Sequence, residues 1–434
     1  MAIANLSEFD EQYTIEEPDR GVSTLIKNLV GVLVFSVVFF HSADFRGSTG
    51  EEFTVHWQIY LRLLSCAACG FAGIVLLDRS LLPAYFRFPG MLFALQLAWI
   101  GMVLPFSINK GFSVASYVSL GCVTIFVPAA ISALGPTRFL RTVGAAFVTY
   151  LVGSWIVYIA FPSIGIFYEQ VSKTDVFPRM GGLGHPNELG FFSACTVVLF
   201  AGLYYCRRVS FAVAAMVLLL GAATLITCFS RTSIILTAIG LATVYRREFF
   251  TAKFIISALL IAVITVGAAG VLYGSGKLDW MIADFGSKIS KSGSSDELTT
   301  GTGRTEIWTY AIGKIGEKPL LGYGYASQRF VMEDHSYHCH NVFLNYCLSS
   351  GILAGVLYGW IALVLIYSIW RSPRPEVDGI LMMMLIGGLT EGLLISPTPT
   401  ANILLFLSGL LWRQMSMNIG ESSDDTVPRF APAR

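Results

Sequence analysis

Apolar runs of about twenty residues recur along almost the whole chain, and nothing else in the sequence restricts its fold so strongly. A bilayer core is crossed by about 20 residues of α-helix. In hydrocarbon each backbone amide and carbonyl needs a partner within the protein, so such runs fold as helices or as a closed barrel. A barrel would show alternation in segments of about ten residues, and these runs show none. The sequence therefore predicts an all-α polytopic membrane protein of about twelve helices. They fall at 22–41, 59–77, 90–106, 112–134, 140–160, 189–205, 209–228, 231–245, 253–272, 341–369, 379–395 and 400–418.

Composition narrows the class further. Of the 434 residues, 13% are charged and 54% hydrophobic; a soluble protein carries about 25% charged residues. A disordered chain, a disulfide scaffold and an ordinary soluble enzyme are excluded. The net charge of +1 gives no reason to expect a nucleic-acid partner. Cys66, Cys69, Cys122, Cys195, Cys228 and Cys347 lie in apolar runs and read as small hydrophobes. Cys66 and Cys69 have the spacing of a redox pair but sit inside a span. Residues 1–21 are acidic (Glu8, Asp10, Glu11, Glu16, Glu17, Asp19) and lack the character of a secretory leader. They and residues 419–434 read as cytoplasmic tails.

Lys and Arg in short loops set the orientation. One set of loops holds Arg79, Arg87, Arg138, Arg141, Arg207, Arg208, Arg246, Arg247, Lys253, Arg371 and Arg374. The opposite set holds Arg46, Arg62, Lys110, Lys173, Arg179 and Arg231. The richer set belongs to the cytoplasm, so both termini lie inside. The loop 161–188, the turn at Arg231 and the long segment 273–340 then lie outside. Helices one to nine occupy 22–272, the external loop 273–340, and the last three helices 341–418. Within the loop, Ile307, Trp308, Ala311, Ile312 and Ile315 share one face of a short helix from Arg304, ended by Gly316 and Pro319.

Chemistry-bearing residues gather on that external side. Arg231 follows Ser230 between two spans; Arg304 follows the turn Thr300-Gly-Thr-Gly303; Arg179 precedes Met180-Gly-Gly-Leu-Gly-His-Pro-Asn187. Arginine forks suit phosphate oxygens, and helix N-termini add amide donors. A single arginine at a span end also reads as one that snorkels to the interface; three on one side point towards an anion. His335, His338 and His340 form a run with Cys339. An imidazole there suits proton transfer near neutral pH. The same run contains zinc-type ligands, although its spacing matches no metal motif. Glu391 stands in an apolar span near its external end, as a functional carboxylate or as the ion-pair partner of Arg231 or another arginine.

Taken in order, these words resemble the O-antigen ligase and polymerase family. The resemblance is carried by Gly303-Arg304, Trp308, Lys318-Pro-Leu-Leu-Gly322 with Gly324, His340-Asn341 with Phe343-Leu344, and Ser350-Gly351-Ile352 with Gly355. Ser230-Arg231-Thr232, and Arg179 with Pro186-Asn187 and Gly190, match upstream. The resemblance implies an inner-membrane glycosyltransferase with its site facing the periplasm and with no metal or other cofactor. The donor would be a glycan on undecaprenyl diphosphate. The acceptor would be another lipid-linked repeat unit, for an exopolysaccharide or O-antigen polymerase, or lipid A–core, for a ligase. Polymerisation is the favoured expectation, with the bilayer and a chain-length regulator protein as partners. Carried onto this chain, Arg231 and Arg304 would bind the diphosphate and His340 would be the base. Arg179, Asn187, Asn341, Glu391 and Trp308 are the further candidate substrate contacts. The family pattern leaves His335 and His338 unexplained. A flippase or transporter for lipid-linked oligosaccharides is the rival of another class, and would need charges through the depth of the bilayer.

Overall fold

The computed structural model describes residues 22–43, 57–77, 83–170, 176–249, 304–332, 335–336, 338–399 and 401–423. The expected ninth span, 253–272, and the first part of the long loop lie outside these residues.

The described chain is almost wholly helical. In order it forms α1 (Thr24–Ser42), α2 (Trp57–Val75), α3 (Gly90–Val103), α4 (Lys110–Leu134) and α5 (Pro136–Ala160). A hairpin of β1 (Ile166–Gln170) and β2 (Val176–Met180) follows, then α6 (Pro186–Tyr205), α7 (Phe211–Cys228) and α8 (Arg231–Val244). The remainder is α9 (Arg304–Glu317), α10 (Val342–Ser350), α11 (Ile352–Arg371), α12 (Pro375–Gly387) and α13 (Ala401–Ser423). Seven helices, α1, α2, α4, α5, α6, α7 and α11, are long and apolar enough to cross a membrane. Shorter apolar helices cover Gly90–Phe106, Arg231–Val244 and Ala401–Trp412. The protein is thus a multi-pass helical membrane protein, and the expected twelve spans are not reached among the described residues.

The helix α6 is the axis of the bundle. It is apolar on every side, which in a helix means burial all round, and residues from Leu189 to Leu203 are buried without a break. It packs on α5, α7, α8 and α12. Small residues permit the close approach: a Cβ on Gly190 would meet Ser230 and Cys228, and one on Gly202 would meet the backbone of Pro375. At the far end of the bundle, Arg246 pairs with the fully buried Asp378 at 3.2 Å and ties α8 to α12.

The described spans are all helical, and the loop 161–188 adds a short antiparallel hairpin, with Phe167 opposite Arg179 and Ile166 opposite Met180. Two expectations are corrected. The expected span 341–369 is two helices broken at Gly351, where φ is +83°. The cause is a docked segment: Tyr323 N–H donates to Leu348 O (2.9 Å), Gly324 N–H to Ser349 O (2.7 Å) and Ile352 N–H to Pro319 O (2.8 Å). Trp99 Nε1 donates to the freed Ser350 carbonyl at 2.8 Å, so the break leaves that group satisfied. The expected span 379–395 ends as a helix at Gly387, and Glu391 lies in an irregular segment before α13. The paired glycines Gly387 and Gly388, then Pro397 and Pro399, oppose helix there. On α9, Ala311 and Ile315 are buried as expected, whereas Ile312 is exposed.

Candidate active site

One end of the bundle holds a cavity of about 650 Å³ with both polar and apolar walls. The end of α1, the starts of α6, α8 and α13 and the segment after α12 frame it. His41, His185, Asn187, Glu188, Ser230, Thr232, Gln328, Arg329, His338, His340, Glu391 and Asn402 all contribute to its wall. Deeper in the bundle the lining turns apolar, with Phe191, Phe192 and Leu236.

The reactive geometry centres on Glu391. Its Oε1 accepts from Arg304 Nη2 at 2.6 Å, and its Oε2 meets His340 Nδ1 at 3.2 Å. An ionised carboxylate only accepts, so this contact puts the proton on Nδ1. The lone pair of His340 then lies on Nε2. A carboxylate that fixes the tautomer and orientation of an imidazole in this way prepares it as a base. Burial alone would raise the Glu391 carboxyl, but the His340 hydrogen bond and the Arg304 charge outweigh it and hold the group below the ordinary carboxylate range.

Local structure holds His340 in place. Its φ of +47° is a left-handed conformation, uncommon outside glycine though less so for histidine. Such a conformation costs roughly 1–3 kcal/mol and persists only where the surroundings impose it. His340 N–H donates to His338 Nδ1 at 3.2 Å, and the two rings lie edge to face, 4.1 Å apart. Asn341 caps α10, its Oδ1 accepting from Leu344 N–H at 3.0 Å and its Nδ2 donating to Leu389 O at 3.1 Å. Trp308 Nε1 donates to Cys339 O at 2.9 Å. Asn341 and Trp308 thus hold the backbone on either side of His340.

Arg179 is buried, with 2% of its surface exposed. Nη1 donates to Glu169 Oε2 (2.6 Å), Nε to Cys228 O (2.8 Å) and Nη2 to Asn187 Oδ1 (2.8 Å). The fork stitches the hairpin to the α7–α8 turn and to the first turn of α6. Arg231 opens α8 between Ser230 and Thr232, which both line the cavity. His335 stacks on Tyr310 with ring centroids 3.9 Å apart. No group of three or more His, Cys, Asp or Glu arranged to hold a metal occurs among the described residues.

Sequence reasoning had brought His340 and Arg304 to one side but not to one carboxylate. It also passed over Glu188, Gln328, Arg329 and His41. Their common signal was a polar residue within a turn or so of a helix end, which is too frequent in a membrane protein to single them out.

Comparison with known proteins adds one finding. Residues 214–359 match the model of a family described as O-antigen ligase. The matched stretch contains Arg231, Arg304, Trp308, His340 and Asn341, so the resemblance read from the motifs is shown over it. Glu391, Arg179 and Asn187 lie outside it. A search of curated proteins returned no match.

Proposed function

We propose that this protein is a membrane glycosyltransferase that moves a glycan from undecaprenyl diphosphate to an acceptor hydroxyl at the cavity. The observation that carries the reading is the Arg304–Glu391–His340 chain, whose Glu391 and His340 line the cavity, within and beside the O-antigen ligase match. In this reading His340 Nε2 takes the proton of the acceptor hydroxyl. The acceptor oxygen bonds to the anomeric carbon as the bond to the diphosphate breaks, and the electron pair leaves with the diphosphate. Attack opposite the leaving group inverts the carbon.

Charge grows on the departing diphosphate, so fixed cations there stabilise the transition state more than the ground state. Arg231 and Arg304 supply that charge without a metal. Arg179, whose fork is already engaged, positions Asn187 and the hairpin. The Lys and Arg bias of the short loops, which favours cytoplasmic termini, supports a cavity facing the periplasmic side of the inner membrane. Polymerisation of lipid-linked repeat units is the preferred form of the reaction, with transfer to lipid A–core the other form. The polar residues gather at one end of the bundle, which favours transfer over a flippase.

The test is a reaction of purified protein in detergent with the lipid-linked donor. A ladder of lengthened lipid-linked glycan is expected, and a single product on added lipid A–core would make it a ligase. Arg231→Ala, Arg304→Ala and His340→Ala should abolish product without loss of folded protein, and EDTA should leave it unchanged. Full activity of the His340 variant would remove it as the base.

A further inference from the structure

We propose that a second pocket, at the end of α6 away from the cavity, binds the headgroup of an anionic phospholipid, the doubly charged diphosphatidylglycerol (cardiolipin). This inference is independent of the glycan-transfer reading and rests on the multi-pass fold. The pocket encloses about 470 Å³ and is lined by Arg141, Arg207, Arg208, Val209, Ser210 and Val213. The cavity lies at the start of α6, whereas this pocket lies just past its last residue, Tyr205. The 20 residues of α6 put about 30 Å between the two. The pocket thus belongs to the opposite end of the bundle, the end that the Lys and Arg bias assigns to the cytoplasm.

A bias of loop charge does not by itself bring arginines to one place; here the packing does. Arg141 belongs to α5, and Arg207 and Arg208 form the turn between α6 and α7. Arg141 Nη2 donates to the Arg208 backbone carbonyl, across 67 residues of sequence. The turn closes through Arg207 N–H to Tyr204 O (2.8 Å) and Arg208 N–H to Leu203 O (2.7 Å). Such a closure usually puts glycine or asparagine at the left-handed residue. That residue is Arg207, with φ of +54°, and a long side chain held there at a conformational cost points to a use for it. Glu376 shares a neighbouring pocket with Arg208, but no Asp or Glu is among the described residues on this wall. Arg207 and Arg208 have contacts within the protein as well; what draws an anion is three positive charges around one pocket, not a vacant donor. Three cations exceed what one phosphate balances and suit a headgroup that carries two.

A second observation points to a lipid rather than a soluble anion. The pocket runs into the apolar surface of α7, one of the helices long and apolar enough to cross a membrane. Val213, on the pocket wall, begins a stripe with Met216 and Leu220 at helical spacing. Val213 and Met216 are exposed. At the same end Phe211 is exposed and its ring lies 5.9 Å from that of Tyr204, a pair of aromatic side chains at the level where headgroups begin. Basic pockets between spans on the cytoplasmic side suit anionic headgroups. Phosphates among the guanidiniums and acyl chains along the Val213 stripe use both parts of this surface, whereas a soluble anion uses only the first.

The experiment uses the full-length protein, stripped of lipid in detergent, and four probes: cardiolipin, phosphatidylglycerol, phosphatidylethanolamine and inorganic pyrophosphate. Cardiolipin should bind most tightly and raise the melting temperature, phosphatidylglycerol less so, and phosphatidylethanolamine and pyrophosphate little. Arg207→Gly removes one charge and gives the left-handed position the residue it favours, so this variant should fold at least as well as wild type. It should bind cardiolipin about 10- to 100-fold more weakly, the range for loss of a charge-assisted contact. Arg141→Gln should weaken binding in the same range, and Arg207→Lys should keep part of it. Unchanged cardiolipin affinity in the Arg207→Gly and Arg141→Gln variants overturns the proposal. So does pyrophosphate binding as tight as that of cardiolipin, which would make the pocket a site for a soluble anion. A preference for cardiolipin that appears only after deletion of residues 1–21 also overturns it, and would give the pocket to that acidic segment. The readout is lipid binding, so failure of glycan transfer neither supports nor weakens the result.

Discussion

Arg304 Nη2 and Glu391 Oε1 meet at 2.6 Å across 87 residues of sequence. The contact joins the start of α9 to the irregular segment after α12, and the other oxygen of the same carboxylate reaches His340. One side chain therefore sets both the placement of a cation and the orientation of an imidazole.

Glu391→Gln keeps the shape of this link and removes its charge. The amide no longer enforces the Nδ1–H tautomer of His340, because it can donate as well as accept. Turnover is expected to fall about 10- to 100-fold, the usual effect of losing an orienting partner. Steady-state kinetics on purified protein check it, and unchanged turnover would mean that His340 does not depend on the carboxylate.

Acid stability reports on His338. Burial pushes this imidazole down to about 4, reinforced by neighbouring His340 and Arg304 and opposed by Glu391. A histidine in the unfolded chain titrates near about 6.5. Between those values the unfolded chain binds a proton that the folded protein does not, so stability falls as pH drops from about 6.5 towards 4. Glu391, held low, acts in the window beneath: its contribution is present above the unfolded carboxylate value and is lost as pH falls through its lower folded value. His338→Gln should flatten melting temperature against pH in the upper window only. An identical slope in the variant would assign the acid limb to another group.

Arg179→Ala should be a folding defect. Removing a buried cation takes one partner from Glu169 and leaves the Cys228 carbonyl and Asn187 without this donor. The loss is expected to be about 3–5 kcal/mol. Arg179→Lys rescues little, since an ammonium does not reproduce the fork. Thermal unfolding in detergent is the measurement. A folded, stable alanine variant lacking only donor binding would instead make Arg179 a substrate contact.

Gly351→Ala tests the break between α10 and α11. A Cβ at φ of +83° is strained, and here it would run into the Leu320 carbonyl. The docked turn at Pro319–Gly324 should be displaced and, with it, the adjoining Gln328–Val331 turn. Yield of folded protein should drop sharply, measured by size-exclusion profile after extraction. An alanine variant that folds normally would show that the turn can dock without this glycine.

Much of the bundle was legible in the sequence because hydrocarbon allows few answers. A long apolar run must satisfy its own amides, so hydropathy located the long helices α1, α2 and α4 to α7 to within a few residues. A local word was legible too: Asn341 caps the helix it precedes. What stayed hidden depends on partners distant in sequence. The break within 341–369 exists because the Pro319–Gly324 turn docks on it, and the helix before Glu391 stops short of that carboxylate. The sequence left the arginine opposite Glu391 open, and it showed neither that Arg179 would be consumed by Glu169 nor that Arg329 would line the cavity. Hydropathy is summed residue by residue along the chain, whereas a site is a set of charges and hydrogen bonds whose partners meet only when the helices pack.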